Sequence, residues 1–288
     1  MAGPHRDAGN SHLSRGRRGR APVIDAHVHI GTGDGLTGPW DTCGSLGTYL
    51  SRAGPAGITG AVLMPPLTSD YPRANRDLVP LIRGSRRFLG FAFVNPSTES
   101  GQVRSRLSRA VGEDGFCGIK VHAHDGRMTR EVADTARDLG VPVLYDPRGD
   151  TASVEMVARS YPQVAWIIPH LSSFADDWRA QNAFVDQLCR LPNVFTDTSG
   201  VRYFDLLQDA TRRAGPHKVL FGSDGPFLHP AVELAKVRAL RLPPADEALV
   251  TGGNLLRLVA PALRRFHPLP SHHRASPVRP RPIPRRRS

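Results

Sequence analysis

Two histidines separated by a single residue stand at the end of the apolar run Val23-Ile-Asp-Ala-His27-Val-His29-Ile30. A β-branched run of this kind reads as a strand, in which alternate side chains share a face. Asp25, His27 and His29 then point one way, and Ile24, Ala26, Val28 and Ile30 the other. Neutral imidazole is a common metal ligand, so a His-x-His pair at the C-terminal end of a strand is a candidate half of a metal site. The plainer alternative is a pair of surface histidines on an edge strand. Other short apolar runs also end in residues with chemistry: Lys120, His122 and His124, then Asp146, His170, Ser199 and Asp224. Taken singly, a His or Asp is more simply a hydrogen-bonded core residue or a helix N-cap. Asp224, before Gly225-Pro226, also fits a turn.

The runs that would position these residues number eight: Val23–Ile30, Ile58–Met64, Phe88–Val94, Gly118–His122, Val141–Tyr145, Val164–Ile168, Asn193–Thr198 and Lys218–Phe221. Their hydrophobicity is continuous, as expected of strands buried on both faces of a parallel sheet. Helical patterns at Thr129–Leu139, Ala152–Tyr161, Ala175–Arg190 and Tyr203–Arg213 separate several of them, and Pro244–Ala260 reads as a last helix. Repeated βα units in this number predict a closed (β/α)8 barrel of TIM type. An open doubly wound sheet is the alternative, but no Gly-x-Gly-x-x-Gly turn follows the first strand. In a barrel the active site lies at the C-terminal ends of the strands. His27 and His29, the Lys120-His122-His124 group, Asp146, His170 and Asp224 all fall there, on five strands. Structural polar residues have no reason to collect on one rim, so the convergence favours a metal site.

Composition bounds the rest. The 288 residues, 40% hydrophobic, suffice for one barrel. No apolar run reaches the length of a membrane span, and the first twenty residues lack the apolar segment of a secretory signal, so a cytoplasmic protein with no membrane partner is expected. Cys43, Cys117 and Cys189 form neither a disulfide framework nor a Cys-x-x-Cys metal signature. The net charge of +12 suggests nucleic acid until it is divided along the chain. Residues 1–20 hold five arginines against Asp7, and residues 264–288 hold eight arginines and no acid, which accounts for all of it. The domain organisation expected is therefore a disordered Arg-rich segment at 1–20, a neutral barrel at 21–263 and a disordered Arg/Pro-rich segment at 264–288. A neutral barrel is expected to bind a small-molecule substrate and no specific nucleic acid, with a homodimer as the assembly allowed.

Six segments carry a family resemblance: Ile24-Asp-Ala-His-Val-His29, Gly118-Ile-Lys-Val-His122, Pro142-Val-Leu-Tyr-Asp146, Ile168-Pro-His170-Leu, Asn193-Val-Phe-Thr-Asp-Thr-Ser-Gly200 and Leu220-Phe-Gly-Ser-Asp224. In this order they resemble the amidohydrolase-related family, the metal-dependent branch of the amidohydrolase superfamily that includes non-oxidative decarboxylases. The resemblance covers residues 22–260. It implies a distorted (β/α)8 barrel with His27, His29 and Asp224 as ligands of one divalent metal and His170 as the group that polarises substrate or handles a proton. One position departs from it: the family usually carries histidine at the end of strand 5, and here Asp146 stands in Tyr-Asp-Pro-Arg-Gly-Asp. A His2Asp2 site is chemically sound and harder in character. Zinc is the first expectation, with manganese or magnesium as alternatives. Asp146 also fits a turn before Pro147 or a pair with Arg148, and His122 could then swing in as a ligand.

Such a site activates water for hydrolysis of an amide, ester or lactone, with Asp224 accepting its proton and His170 steadying the attacked carbonyl. The alternative at the same site is non-oxidative decarboxylation of an aromatic or enol carboxylate. Arg148 and Arg202 are candidates to hold that carboxylate, and His122 and Lys120 to contact substrate. Lys120 shares parity with His122 and reads as a buried ion pair. A catalytically silent barrel that serves as a binding or scaffold protein is a third reading, because one altered ligand can abolish chemistry.

Overall fold

All eight apolar runs form strands. The computed structural model describes residues 21–39, 41–175 and 177–266; the expected Arg-rich segment at 1–20 and all but the first three residues of that at 264–288 lie outside them, and those three, Arg264–Phe266, close the last helix instead of starting a disordered segment. The strands are β1 (Ile24–His29), β2 (Gly60–Met64), β3 (Phe88–Phe93), β4 (Gly118–His122), β5 (Val143–Asp146), β6 (Trp166–Ile168), β7 (Val194–Asp197) and β8 (Val219–Leu220). Each pairs in parallel with the next in chain order. After the strands in turn come α1 (Leu46–Ala56), α2 (Tyr71–Gly84), α3 (Val103–Arg109), α4 (Arg130–Leu139), α5 (Thr151–Ser160), α6 (Trp178–Arg190), α7 (Phe204–Ala214) and α8 (Pro230–Ala239). The protein is a (β/α)8 barrel.

Backbone hydrogen bonds between the two ends of the sheet complete the ring. Ala26 N donates to Phe221 O, His29 N to Gly225 O and Asp224 N to His27 O, each at 2.8 Å. This seam joins the segments that carry the His-x-His pair and Asp224. One strand irregularity lies beside it: β1 passes from Asp25 to Val28 while β2 passes only from Ala61 to Leu63, so one extra residue is accommodated in β1.

The core fills the space between strands and helices with fully buried side chains such as Val28, Leu63, Phe91, Val121, Trp166 and Phe221. Strands buried on both faces explain the continuous apolar runs. Five helices begin with a side-chain cap: Ser45, Asp70, Thr129, Asp150 and Asp177 accept from the backbone N–H three residues on.

Three differences from the expected elements have local causes. The last strand starts at Val219 because Lys218 lies in a 3-10 turn, with Nζ donating to Leu191 O at 2.7 Å and Pro192 O at 3.0 Å, beyond the end of α6. The single last helix becomes α9 (Pro244–Ala248) and α10 (Asn254–Phe266), joined by a π turn at Leu249–Gly253. That turn docks on the seam, Phe221 N donating to Val250 O at 2.8 Å. Two helices form where the sequence shows no helical pattern, α1 after β1 and α8 after β8. Gly47, Gly54 and Pro55 in the first, and Pro230 at the start of the second, hide the helical pattern. Among the described residues no helix is long and apolar enough to cross a membrane.

Candidate metal centre at the barrel mouth

His27 and His29 end β1 with both imidazoles turned to one point, their Nε2 atoms 3.1 Å apart. Asp224, four residues past β8, reaches the same point: its Oδ1 lies 3.2 Å from His29 Nε2 and 3.7 Å from His27 Nε2. Three atoms each about 2.1 Å from one ion lie roughly 3.0–3.5 Å from each other, so the triangle has the dimensions of a half-built coordination sphere.

The protons support that assignment. His29 Nδ1 lies 2.8 Å from Pro65 O, which can only accept, so Nδ1 carries a hydrogen and in the neutral ring Nε2 keeps its lone pair. His27 Nδ1 lies 2.9 Å from Asp197 Oδ2, which fixes the same tautomer. A buried carboxylate behind the outer nitrogen of a ligating imidazole is the arrangement that orients such ligands and raises their basicity. Burial, and secondarily Lys120, push His27 down to about 4, so its ring is neutral at pH 7. Burial alone would raise Asp224, but His29, His27 and His170 hold it well below the usual carboxylate range. Two imidazole lone pairs and a carboxylate oxygen thus face one another. Such a set is stable around a cation, and the residues fit a divalent ion with nitrogen and oxygen ligands.

Asp197 anchors the floor of the site. Its Oδ1 accepts from Ser199 Oγ at 2.6 Å, Ser199 N at 3.0 Å and His170 N at 3.3 Å. Burial opposes its ionisation, but His27 and His170, with the Ser199 hydroxyl, bring it down to about 2. Sequence reasoning assigned it no role, although the polar Thr-Asp-Thr-Ser ending an otherwise apolar strand was a visible signal. Asp25 departs from the parity expected of it. Its oxygens take Ser223 N at 2.8 Å, Ser223 Oγ at 2.5 Å and Tyr49 OH at 3.0 Å, next to the β1 irregularity.

His170 closes the inner side. Its Nδ1 donates to Ser199 O at 2.8 Å, so Nε2 is the bare nitrogen, and its ring lies 5.3 Å from that of His27. The chain turns sharply there: His170, Leu171 and Ser172 all have positive φ (58, 52 and 77°), a costly run for residues with a Cβ and one found where geometry serves a site.

Asp146, expected to complete the ligand ring, does not join the triangle. Its Oδ1 accepts from Arg148 N at 2.8 Å, and its Oδ2 lies 3.2 Å from His122 Nε2 and 3.8 Å from His170 Nε2. His122 Nδ1 accepts from His124 N at 3.0 Å, so its Nε2 carries the proton given to Asp146. His122 is thereby turned to Asp146 rather than to the triangle. Burial would raise Asp146, but His122, His170 and Lys120 lower it.

Lys120 is fully buried on β4, with Nζ 3.4 Å from His27 Nε2. The ion pair expected for it is absent among the described residues, none of whose carboxylates lies within 4.0 Å. Burial draws its pKa down, against Asp146, Asp224 and Asp197. Arg148 and Arg202 stand exposed in the loops after β5 and β7.

Comparison with known proteins agrees with this architecture. A family model described as Amidohydrolase matches residues 24–259. No curated protein matches the chain significantly. Among solved structures it is similar to 5-carboxyvanillate decarboxylase from Sphingomonas paucimobilis (14% identity, TM-score 0.66, 83% of this chain and 99% of that one). It is also similar to 2,6-dihydroxybenzoate decarboxylase from Rhizobium (20%, 0.62, 83% and 99%). A third is the dihydroxybenzoic acid decarboxylase of a Polaromonas species with bound manganese and the inhibitor 2-nitroresorcinol (19%, 0.64, 86% and 99%). At these identities the likeness speaks for the fold.

Proposed function

Because the chain belongs to the amidohydrolase family, we propose that it is a metal-dependent enzyme that removes carbon dioxide, without redox chemistry, from an aromatic or enol carboxylate. The observation that carries the reading is the triangle of unprotonated His27 Nε2, His29 Nε2 and ionised Asp224. Its likeness in fold to decarboxylases, one of them with bound manganese, favours this reaction over others the triangle would allow. The ion is manganese or zinc, and when bound it supplies positive charge to hold a substrate carboxylate and a neighbouring hydroxyl oxygen.

The chain's own residues supply the rest. His170 Nε2, bare because Nδ1 is tied to Ser199 O, accepts the proton of the substrate hydroxyl. The resulting electron pair pushes into the conjugated system, and Asp224, ionised at rest, takes up the proton that His170 accepted and delivers it to the carbon that bears the carboxylate. The carbon–carboxylate bond then breaks, carbon dioxide leaves, and its electron pair restores conjugation. Asp146, paired with His122, lies with Oδ2 3.8 Å from His170 Nε2, where it stabilises the imidazolium formed once that nitrogen has taken the proton. Lys120, Arg148 and Arg202 provide cationic contacts for substrate oxygens.

The test is carbon dioxide release from a panel of hydroxybenzoates and enol carboxylates by manganese- and zinc-loaded protein, with Asp224→Asn as control. Release lost in the variant supports the proposal. Acid release from esters or lactones in place of carbon dioxide would move it to hydrolysis by metal-activated water, which the family description also favours. Purified protein that takes up no divalent ion would leave a silent barrel.

A further inference from the structure

At the end of the barrel opposite the metal centre, where the strands begin, lies a recess of about 270 Å³. Basic side chains line it: Arg190 from the end of α6, His217 and Lys218 from the turn before β8, and Arg257 from α10. No acidic side chain does. Arg190 has its own partner, Glu155 at 3.0 Å. Among the described residues neither Lys218 nor Arg257 forms an ion pair; their hydrogen bonds go to neutral oxygens. Both instead lie against the ring of Phe195 on β7, Lys218 Nζ 4.9 Å and the Arg257 guanidinium carbon 5.5 Å from its centre. One ring attracts a cation modestly, and two cations sharing it repel each other. Burial draws Lys218 down to about 8, with Cys189 opposing the fall and Arg257 adding to it.

The recess is held in shape by groups that belong to no part of the metal centre. Buried Asn254 donates through Nδ2 to Pro216 O and Val219 O, each at 2.8 Å, and its Oδ1 accepts from Arg257 Nη2 at 3.3 Å. The same Nη2 donates to His217 O at 3.0 Å, so the guanidinium is oriented while Nε and Nη1 keep unspent N–H groups among the described residues. Lys218 spends two of its three N–H groups on Leu191 O and Pro192 O. Gly215, at φ +90°, leaves room for the imidazole: an added Cβ would lie 2.7 Å from His217 Nδ1.

We infer that this recess binds a phosphate group, free or on a small molecule, with Lys218 and Arg257 as its charge partners. A doubly charged tetrahedral oxyanion balances two unpaired cations and accepts the N–H groups they have left, whereas a carboxylate balances only one. The site is separate from the metal centre and stands whatever reaction occurs there.

Cys189 lines the recess with its thiol exposed and serves as the reporter. The full-length chain is alkylated with iodoacetamide, an uncharged reagent, and modification of each cysteine is read by mass spectrometry. Inorganic phosphate at about ten times its Kd should slow Cys189 roughly 10-fold, the occupancy factor for a blocking ligand. Exposed Cys43, in the loop after β1 at the other end of the barrel, should be unaffected. Arg257→Gln should raise the phosphate needed about 10-fold, the loss of one charge-assisted hydrogen bond, and Arg257→Lys should keep part of the affinity. Lys218→Met should weaken protection as well, with circular dichroism to show the barrel retained; if it does not fold, the exposed Arg257 decides. Glycerol 3-phosphate separates the two sources: tighter binding than inorganic phosphate points to a phosphorylated small molecule, looser binding to the free ion, and either supports the site. Four results overturn it: no protection by either phosphate, equal protection by acetate or by sodium chloride at matched ionic strength, Cys43 slowing in step with Cys189, or protection undiminished in Arg257→Gln.

Discussion

The barrel mouth contains two polar corners built from the same residue types with opposite proton bookkeeping. At the β1–β8 corner, His27, His29 and Asp224 turn three bare atoms on one point, because both imidazole protons are committed elsewhere to Asp197 and Pro65 O. At the β4–β6 corner, His122 turns its protonated Nε2 to Asp146, and the pair satisfies itself. One corner gathers donors that a cation would complete; the other is satisfied as it stands. Residue type alone does not identify a metal site, since the direction of each proton decides it.

The sharpest break of this comparison is Asp224→Ala or His27→Ala. Either should lower metal affinity by more than about 100-fold, above the range for outer partners of metal ligands, as read by metal analysis after dialysis, and should abolish carbon dioxide release. Asp197→Asn comes next. It removes the carboxylate that orients His27, and affinity should fall by about 10- to 100-fold with the fold retained by circular dichroism.

Asp146→Asn tests the other corner, and there the expected loss is confined to turnover, by roughly 10-fold, with the metal content of wild type. Metal loss on a par with Asp224→Ala would show that Asp146 is a ligand after all and erase the distinction between the corners.

A smaller effect concerns pH. His27 in metal-free protein has its pKa lowered from 6.5 to about 4. The unfolded chain therefore binds the extra proton in this window, and stability falls as pH falls from 6.5 towards 4, by roughly 3 kcal/mol. Asp25, raised to about 7 by burial despite its bonds to Ser223 and Tyr49, acts in the opposite sense. There the folded state holds the proton, and stability falls as pH rises from 3.8 to about 7. The two oppose each other in wild type, so chemical denaturation of metal-free Asp25→Asn should show a steeper loss on acidification than wild type. The smallest effect is on thiol chemistry. Exposed Cys43 and Cys189 should react with a thiol reagent in the native state, and buried Cys117, raised to about 12, only after unfolding.

The barrel was legible because parallel strands buried on both faces leave continuous apolar runs, and all eight survive in the structure. His27, His29 and Asp224 were legible as residues at strand ends, though their mutual distances were not. What the sequence concealed depends on side-chain rotation and on chain segments far apart. Asp146 looked like a ligand because it ends β5, but His122, twenty-four residues earlier, claims its oxygen. Asp197 went unassigned because its partner, His27, lies 170 residues away. The alternation rule failed at Asp25, next to the extra residue that no periodicity reveals. Helices α1 and α8 were missed where Gly and Pro interrupt the helical pattern.

The hydrogen bond from Asp224 N to His27 O gives the site a second role. The proposed ligand residues are also the clasp of the barrel, where the first strand meets the last. Contacts of such sequence separation carry a large loop-closure entropy, and an ion gripping both sides would stabilise the closed ring. Loading the protein with metal should therefore slow amide hydrogen exchange at Ala26, His29 and Asp224 more than anywhere on the opposite wall. The ion would act as a latch for the fold as well as a reagent.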